Sequence, residues 1–281
     1  MVPSGADKEW AANEDVMTKE IEIKVEEGVQ VIRFLRAEKK NALTGPMYDA
    51  MSEALDAAEK TDATAVHVFI GSGGVFSAGN DINDFMRRAQ AAAAGGAQGI
   101  PAPSLDFIRR LPRVTKPMIA AVDGLAIGVG TTMLLHCDLV YATPAASLRT
   151  PFLDLGLVQE AGSSITAPAR LGYPRAFELI CLGDPFSAER ALQAGLINAV
   201  VPADQLEATA IRAARRLAAK PRQALTIARR LLRRNAAELS AMIEEEAKAY
   251  HGLMRSPEAR EAFTAFLEKR PPDFAKARQK G

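Results

Sequence analysis

Residues 116–138 read KPMIAAVDGLAIGVGTTMLLHCD, and this stretch decides how the rest of the chain is read. Its apolar run Met118–Val122 is far too short to span a membrane and has the character of a buried strand. Asp123-Gly124 then turns the chain, Gly128-Val129-Gly130 permits close backbone approach, and residues 131–136 continue as a buried helix. A strand that feeds a helix through glycines directs free backbone N–H groups to one point, where the helix start adds partial positive charge. Such a point suits an anion, either bound or formed during a reaction. A packed strand–helix turn with no ligand leaves the same signature.

The chain has 281 residues, 48% of them hydrophobic, enough to bury a sizeable core as one large domain or as a domain with an appendage. A net charge of +1 gives no electrostatic reason to expect nucleic acid or an anionic membrane as partner. The two cysteines, Cys137 and Cys181, sit in apolar surroundings without metal-ligand spacing, which fits a reducing cytoplasm. Residues 1–19 are polar and acidic, unlike a secretory signal or a transit peptide, and read as a loose leader. No run reaches transmembrane length, so a soluble protein is expected.

Outward from the central stretch the pattern alternates. Residues 21–25 and 29–35 flank Glu26-Glu27-Gly28 as a hairpin. After the loop AEKKNALT, Thr44 is a candidate N-cap with Pro46 in the first turn, and Met47, Ala50, Met51, Ala54, Leu55 and Ala58 keep helical spacing. Strands at 65–70, 118–122 and 139–142 with helices between them predict parallel pairing with right-handed crossovers. The segment 86–104 combines an alanine run with Gly95-Gly96, Gly99 and two prolines, and reads as a mobile loop or lid. Helices are expected at 163–171, 175–182, 187–194 and 258–269, the last with Ala262, Phe263 and Phe266 on one stripe. From residue 204 onward the chain is helical and basic, with nine cations from Arg212 to Arg234 balanced by Glu244-Glu245-Glu246, all read as solvated faces. The expected division is a leader 1–19, a core 20–203 and a helical region 204–281.

A second βα turn repeats the first. The strand ending at Ile70 runs through Gly71-Ser72-Gly73-Gly74 into VFSAGNDI, residues 75–82. Neither a Walker loop nor a GxGxxG pattern is present, so ordinary nucleotide-phosphate binding is disfavoured. Two sets of backbone donors in neighbouring βα units can instead converge on one oxygen, forming an oxyanion hole.

The pair FSAGND and KPMIAAVDGLAIGVGTTMLLHCDLVYA resembles the crotonase, or enoyl-CoA hydratase/isomerase, superfamily, supported by EKKNALT, SLRTPFLDLGL, FSAERALQAGLINAVV and FTAFLEKRPPDF. The resemblance covers residues 20–275. It implies an α/β fold, a spiral of ββα units with a helical C-terminal region that drives trimers or hexamers. It also implies an acyl-CoA thioester substrate, with no cofactor beyond that coenzyme A, and a place in fatty-acid or related metabolism. The implied oxyanion-hole amides are those of Asn80 and Val129. Coenzyme A contacts would come from Lys39, Lys40, Ala42, Ser77, Ala78, Gly79, Asn80, Asp81, Ile82 and Val129. Phe263 and Lys269 resemble, more loosely, positions that approach the coenzyme A of a neighbouring subunit.

The motifs align the two glutamates of hydratases with Thr132 and Phe152, neither of which can move a proton. Glu160, in LVQEAGSS, instead matches the single glutamate of Δ3,Δ2-enoyl-CoA isomerases. The expected reaction moves a double bond from C3 to C2, with Glu160 shuttling the proton and burial beside Leu157 and Val158 raising its pKa. The two alternatives are an enoyl-CoA hydratase (which is a lyase), needing a water-activating group such as Glu160 or Asp154, and a catalytically silent acyl-CoA-binding homologue. Asp81 and Asp138 read as anchors of helix and strand ends, and His67 and His136 as core residues; the three histidines form no metal site.

Overall fold

The computed structural model describes residues 16–84, 87, 102–233 and 236–279. The leader expected over 1–19 therefore lies outside the described residues except for its last four, and so does most of the expected lid at 86–104. Of that leader, β1 (Val16–Met17) pairs antiparallel with β2 (Ile21–Glu26). The hairpin between β2 and β3 (Val29–Phe34) turns at Glu27 and Gly28. Both have positive φ, 49° and 78°, as a tight two-residue turn between twisted strands requires.

From β3 the pairing becomes parallel. β4 (Val66–Gly71), β5 (Met118–Val122), β7 (Leu139–Ala142) and β10 (Ala199–Val200) follow it in one seven-stranded sheet of order β1-β2-β3-β4-β5-β7-β10. The crossovers carry helices, as the alternating pattern predicted. A smaller sheet joins β6 (Leu125–Ile127), β8 (Ser147–Arg149) and β9 (Phe186–Ser187).

The central strands are buried on both faces, which is why they read as continuous apolar runs. Alternate residues Val66, Val68, Ile70, Ile119 and Ala121 face a helix over Ala203–Ala218, which contributes Leu206, Ala210 and Ala214 at four-residue spacing. The other set, Phe69, Met118, Ala120 and Val122, joins the main core with Met47, Met51 and Leu55 of α1 (Gly45–Glu59). Each large apolar side chain enclosed this way contributes about 1.5–3 kcal/mol.

Several local expectations are corrected. Thr44 begins α1 without capping it, because its hydroxyl donates to Glu20 Oε2 at 2.8 Å. The helix expected at 175–182 starts at Tyr173, where Pro174 suits a first turn, and loosens into a wide π-type turn at Glu178–Leu182. In the helix Pro257–Leu267 Ala262 and Phe263 are buried, Phe263 against Leu157 and Met254, but Phe266 is 56% exposed. Arg229 is not on a solvated face. It is buried, donating from Nε to Asp138 Oδ2 (2.8 Å) and from Nη1 to the Val114 carbonyl (2.5 Å). Asp138 also accepts the Met118 amide at 2.8 Å, so it anchors the strand start as expected. Among the described residues no helix is long and apolar enough to cross a membrane.

Candidate active site

The two glycine turns meet. Ser77 N donates to Leu125 O and Ile127 N to Ser77 O, both at 2.9 Å, so the FSAGN segment runs beside β6. Gly79, at φ +87°, then passes so close to that strand that a Cβ would lie 2.7 Å from the Ile127 carbonyl oxygen. Only glycine permits both the conformation and the approach. On the other side Leu43 N donates to Gly79 O (2.8 Å) and Asp81 N to Leu43 O (2.9 Å). Asn80 is clamped between these contacts, and its own amide lies outside both pairings. Val129 heads the short helix Val129–Thr132, where the first N–H has no acceptor inside the turn. Gly128 before it is fixed by its own amide on Arg149 O at 2.8 Å.

Glu160 stands on the loop that enters α2 (Ser163–Leu171). Ala161 and Gly162 after it both adopt left-handed backbone, φ +63° and +67°. For alanine this costs of order 1 kcal/mol or more, so the surroundings must hold it. They do so at several atoms. Ser163 donates to the Glu160 carbonyl from N (3.2 Å) and from Oγ (2.7 Å). The His136 Nε2 lies 2.7 Å from the Ala161 carbonyl. Burial pushes this imidazole down to about 3, so it is neutral and donates from Nε2. The amides of Gly162 and Ser164 donate to the two carboxyl oxygens of Glu246, at 2.6 and 2.9 Å.

The result is a carboxyl with little to bind. Glu160 is half-buried as a residue, but its Oε1 is fully enclosed without a hydrogen-bond partner. Burial, and then the negative charge of Glu246, push it up to about 8. This agrees with the direction expected from Leu157 and Val158, but the contribution of Glu246 is new.

Glu160 and Asn80 line one cavity, with Asp81, Asp84 and Tyr48 as further polar groups and Leu43, Leu105, Ile108, Ile243 and Met254 among its apolar walls. The other two acids are committed. Asp81 binds Arg36 at 2.7 Å and accepts the Asn83 amide at 2.9 Å. Although burial works against it, the Arg36 guanidinium and the amides of Asp84 and Asn83 hold Asp81 below its ordinary range. Asp84 accepts the Gly45 amide at 3.0 Å and pairs with Arg87. Glu160 is therefore the cavity acid with an oxygen to spare.

The remaining expected residues separate. Val129 is buried next to the Gly79 approach and is not part of the cavity wall. Lys39 and Lys40 are exposed at the end of a short turn, and Lys40 O accepts the Ala78 amide at 2.8 Å. Ala42 and Ile82 are half-buried. The Ser77 side chain faces inward. It is wholly buried, donating to Asn41 O (2.8 Å) and accepting the Gly79 amide (3.1 Å), so it supports the loop from inside. Thr132 and Phe152 are buried and outside the cavity wall, and Asp154 is exposed, 2.9 Å from Arg149. Burial pushes the Cys137 thiol up to about 12, which leaves it inert. No group of His, Cys, Asp and Glu among the described residues is arranged to hold a metal ion.

Sequence reasoning missed one wall entirely. The helix α3 (Ala236–Leu253) supplies Ile243, Ala247, Tyr250 and His251 to the cavity. Its stripe was legible: Leu239, Ile243, Glu246 and Tyr250 are spaced four, three and four apart, so Glu246 alone of the acidic triplet falls in phase with buried residues.

Comparison with known proteins gives the family and the fold. The family model for enoyl-CoA hydratase/isomerase matches residues 24–278. Enoyl-CoA delta isomerase 2 of Rattus norvegicus is 33% identical over 90% of this chain, which spans 65% of that protein's length. The 1,2-epoxyphenylacetyl-CoA isomerase of Escherichia coli is 33% identical over 89% of this chain and 96% of its own. A solved enoyl-CoA hydratase/isomerase from Pseudoalteromonas atlantica superposes with a TM-score of 0.84 at 33% identity, covering 91% of this chain and 100% of that one.

Proposed function

The chain belongs to the enoyl-CoA hydratase/isomerase family, the crotonase superfamily, and from that premise we propose that it is an enoyl-CoA isomerase moving a double bond from C3 to C2 with Glu160 as its one proton carrier. The observation that carries this reading is the Glu160 carboxyl itself, enclosed, partly unpartnered and in one cavity with Asn80, while Thr132 and Phe152 occupy the positions aligned with the hydratase glutamates.

The thioester oxygen of a 3-enoyl-CoA accepts a hydrogen bond from the Asn80 amide at the cavity wall and a second from the Val129 amide at the helix start behind it, once the bound thioester reaches that depth, which draws charge from C2. The Glu160 carboxylate removes a C2 proton, and the electron pair spreads through a dienolate to C4. The same carboxyl returns that proton to C4, leaving a 2-enoyl-CoA. Protons and electrons balance within the cycle, so coenzyme A is needed only as part of the substrate. Removing one donor from such a hole costs about 10²–10³ in rate. A base raised towards the working pH both removes and returns a proton readily.

An acyl-CoA panel tests the reading. The wild type is expected to convert 3-enoyl-CoA to 2-enoyl-CoA, and Glu160→Gln to keep substrate binding while losing turnover. Hydration of 2-enoyl-CoA without isomerisation supports the hydratase alternative, and binding without either reaction supports a silent homologue. Substantial isomerisation by Glu160→Gln removes Glu160 from its role.

A further inference from the structure

Glu246 is the second buried acid at this site, and the reaction as written does not use it. It lies on α3, some eighty residues along the chain from the loop it touches. It is only 5% exposed, and both its oxygens are occupied by amide donors, Gly162 N on Oε2 and Ser164 N on Oε1. That pattern fits the ionised form, since each oxygen accepts and neither donates. It also sets a carboxylate at the start of α2, where the helix favours negative charge. Glu160 has the opposite surroundings, with Oε1 enclosed and no donor on it. Where two nearby carboxyls share one proton, it rests on the one without donors.

We propose that Glu246 is a positioning residue for the proton transfer: it pins the left-handed Ala161-Gly162 turn that aims Glu160 into the cavity, and it sets a fixed negative charge beside that acid. The inference rests on the isomerase reading for its consequence in catalysis. Elsewhere the turn is held by its carbonyls, that of Glu160 by Ser163, that of Ala161 by His136 and that of Gly162 by Ile165 and Thr166, whereas Glu246 takes the Gly162 amide. Burial raises Glu246 as well, but the hydrogen bonds from Ser164 and Gly162 pull it back, while Glu160 has no such counterweight. The other charged or titratable groups around the cavity are Asp81 with Arg36, Asp84 with Arg87, Tyr48, Tyr250 and His251. Among the described residues the charge that raises Glu160 is that of Glu246, and Glu245, next to it on α3, in turn raises Glu246.

The pH profile of kcat/KM for a 3-enoyl-CoA separates this from a purely structural role. Glu246→Gln removes the charge and one of the two acceptors. Its acid-side inflection is expected to fall by about one pH unit, with kcat down roughly tenfold or more from the looser turn. Glu246→Asp keeps the charge but shortens the reach, so kcat falls while the inflection stays. A folded Glu246→Gln with the wild-type inflection overturns the proposal. Carboxyl carbon NMR gives a reading without substrate and without altering Glu246: removing the neighbouring acid in Glu160→Gln should lower the titration of Glu246 relative to wild type. An unchanged titration overturns the proposal as well. A wild type that turns over no 3-enoyl-CoA ends the isomerase reading and leaves that titration to decide whether the two acids are coupled.

Discussion

The Tyr48 hydroxyl donates a 2.6 Å hydrogen bond to Asn80 Oδ1, tying α1 to the residue whose amide we propose as a donor to the thioester oxygen. Tyr48 is 2% exposed and its ring packs on Phe107 at 5.6 Å, so the hydroxyl is held in place by the core. Removing the hydroxyl should leave the fold intact and loosen Asn80. Tyr48→Phe and Asn80→Ala are each expected to lower kcat by about tenfold or less, since the main-chain donor survives in both. The double variant should be no worse than either single one, and additive losses in that cycle would show that the two side chains act separately.

The pH dependence follows from Glu160. Burial and the Glu246 charge push its carboxyl up to about 8, so below that pH most of the free enzyme carries the proton and cannot accept another. The value of kcat/KM is expected to rise about tenfold per pH unit and to level off above about pH 8. His67 and His136, both pushed down to about 3 by burial, should add no inflection near neutrality. An acid limb centred near the ordinary histidine range would contradict this.

The same shift has a cost in stability, and its sign is fixed. Folded Glu160 binds its proton more tightly than the unfolded residue, whose ordinary value is 4.5. Between that value and about 8 the folded state holds more protons than the unfolded state, so stability falls as pH rises. Glu160→Gln cannot ionise and escapes the loss. Its Tm is expected to exceed that of the wild type above about pH 8, with the gap closing as pH approaches 4.5. Thermal melts across that range check it, and a gap that widens towards acid pH would reverse the argument.

The sheet was legible because its signals are local. Met118–Val122 and the alternation across Glu27-Gly28 carry strand and turn in adjacent residues, and Gly79 and Gly128 mark the turns that meet. Glu160 was singled out through the motif around it and its apolar neighbours Leu157 and Val158. What escaped was long-range. Arg229 reads as one more cation in a basic helix, and only the fold reveals Asp138, ninety-one residues earlier, beneath it. Glu246 hid in an acidic triplet whose other members, Glu244 and Glu245, are exposed. Tyr48 drew no notice in the sequence, because its partner at Asn80 belongs to another βα unit.

The turn behind Glu160 can be tested by size. At Gly162 the backbone is left-handed, and an added Cβ would sit 2.1 Å from Leu239 Cδ1 on α3. Two separable penalties therefore meet at one atom, the φ of +67° and the contact with Leu239. Gly162→Ala is expected to destabilise the protein by about 1–3 kcal/mol and to lower kcat more than it raises KM, because the turn sets the aim of the base. Trimming the obstacle in Gly162→Ala/Leu239→Ala removes the contact but not the backbone strain. Urea unfolding should then show a double variant less damaged than the sum of the two single changes, with kcat only partly restored. Full additivity would mean that residues 162 and 239 do not share a contact, and that Glu160 is aimed by some other part of the loop.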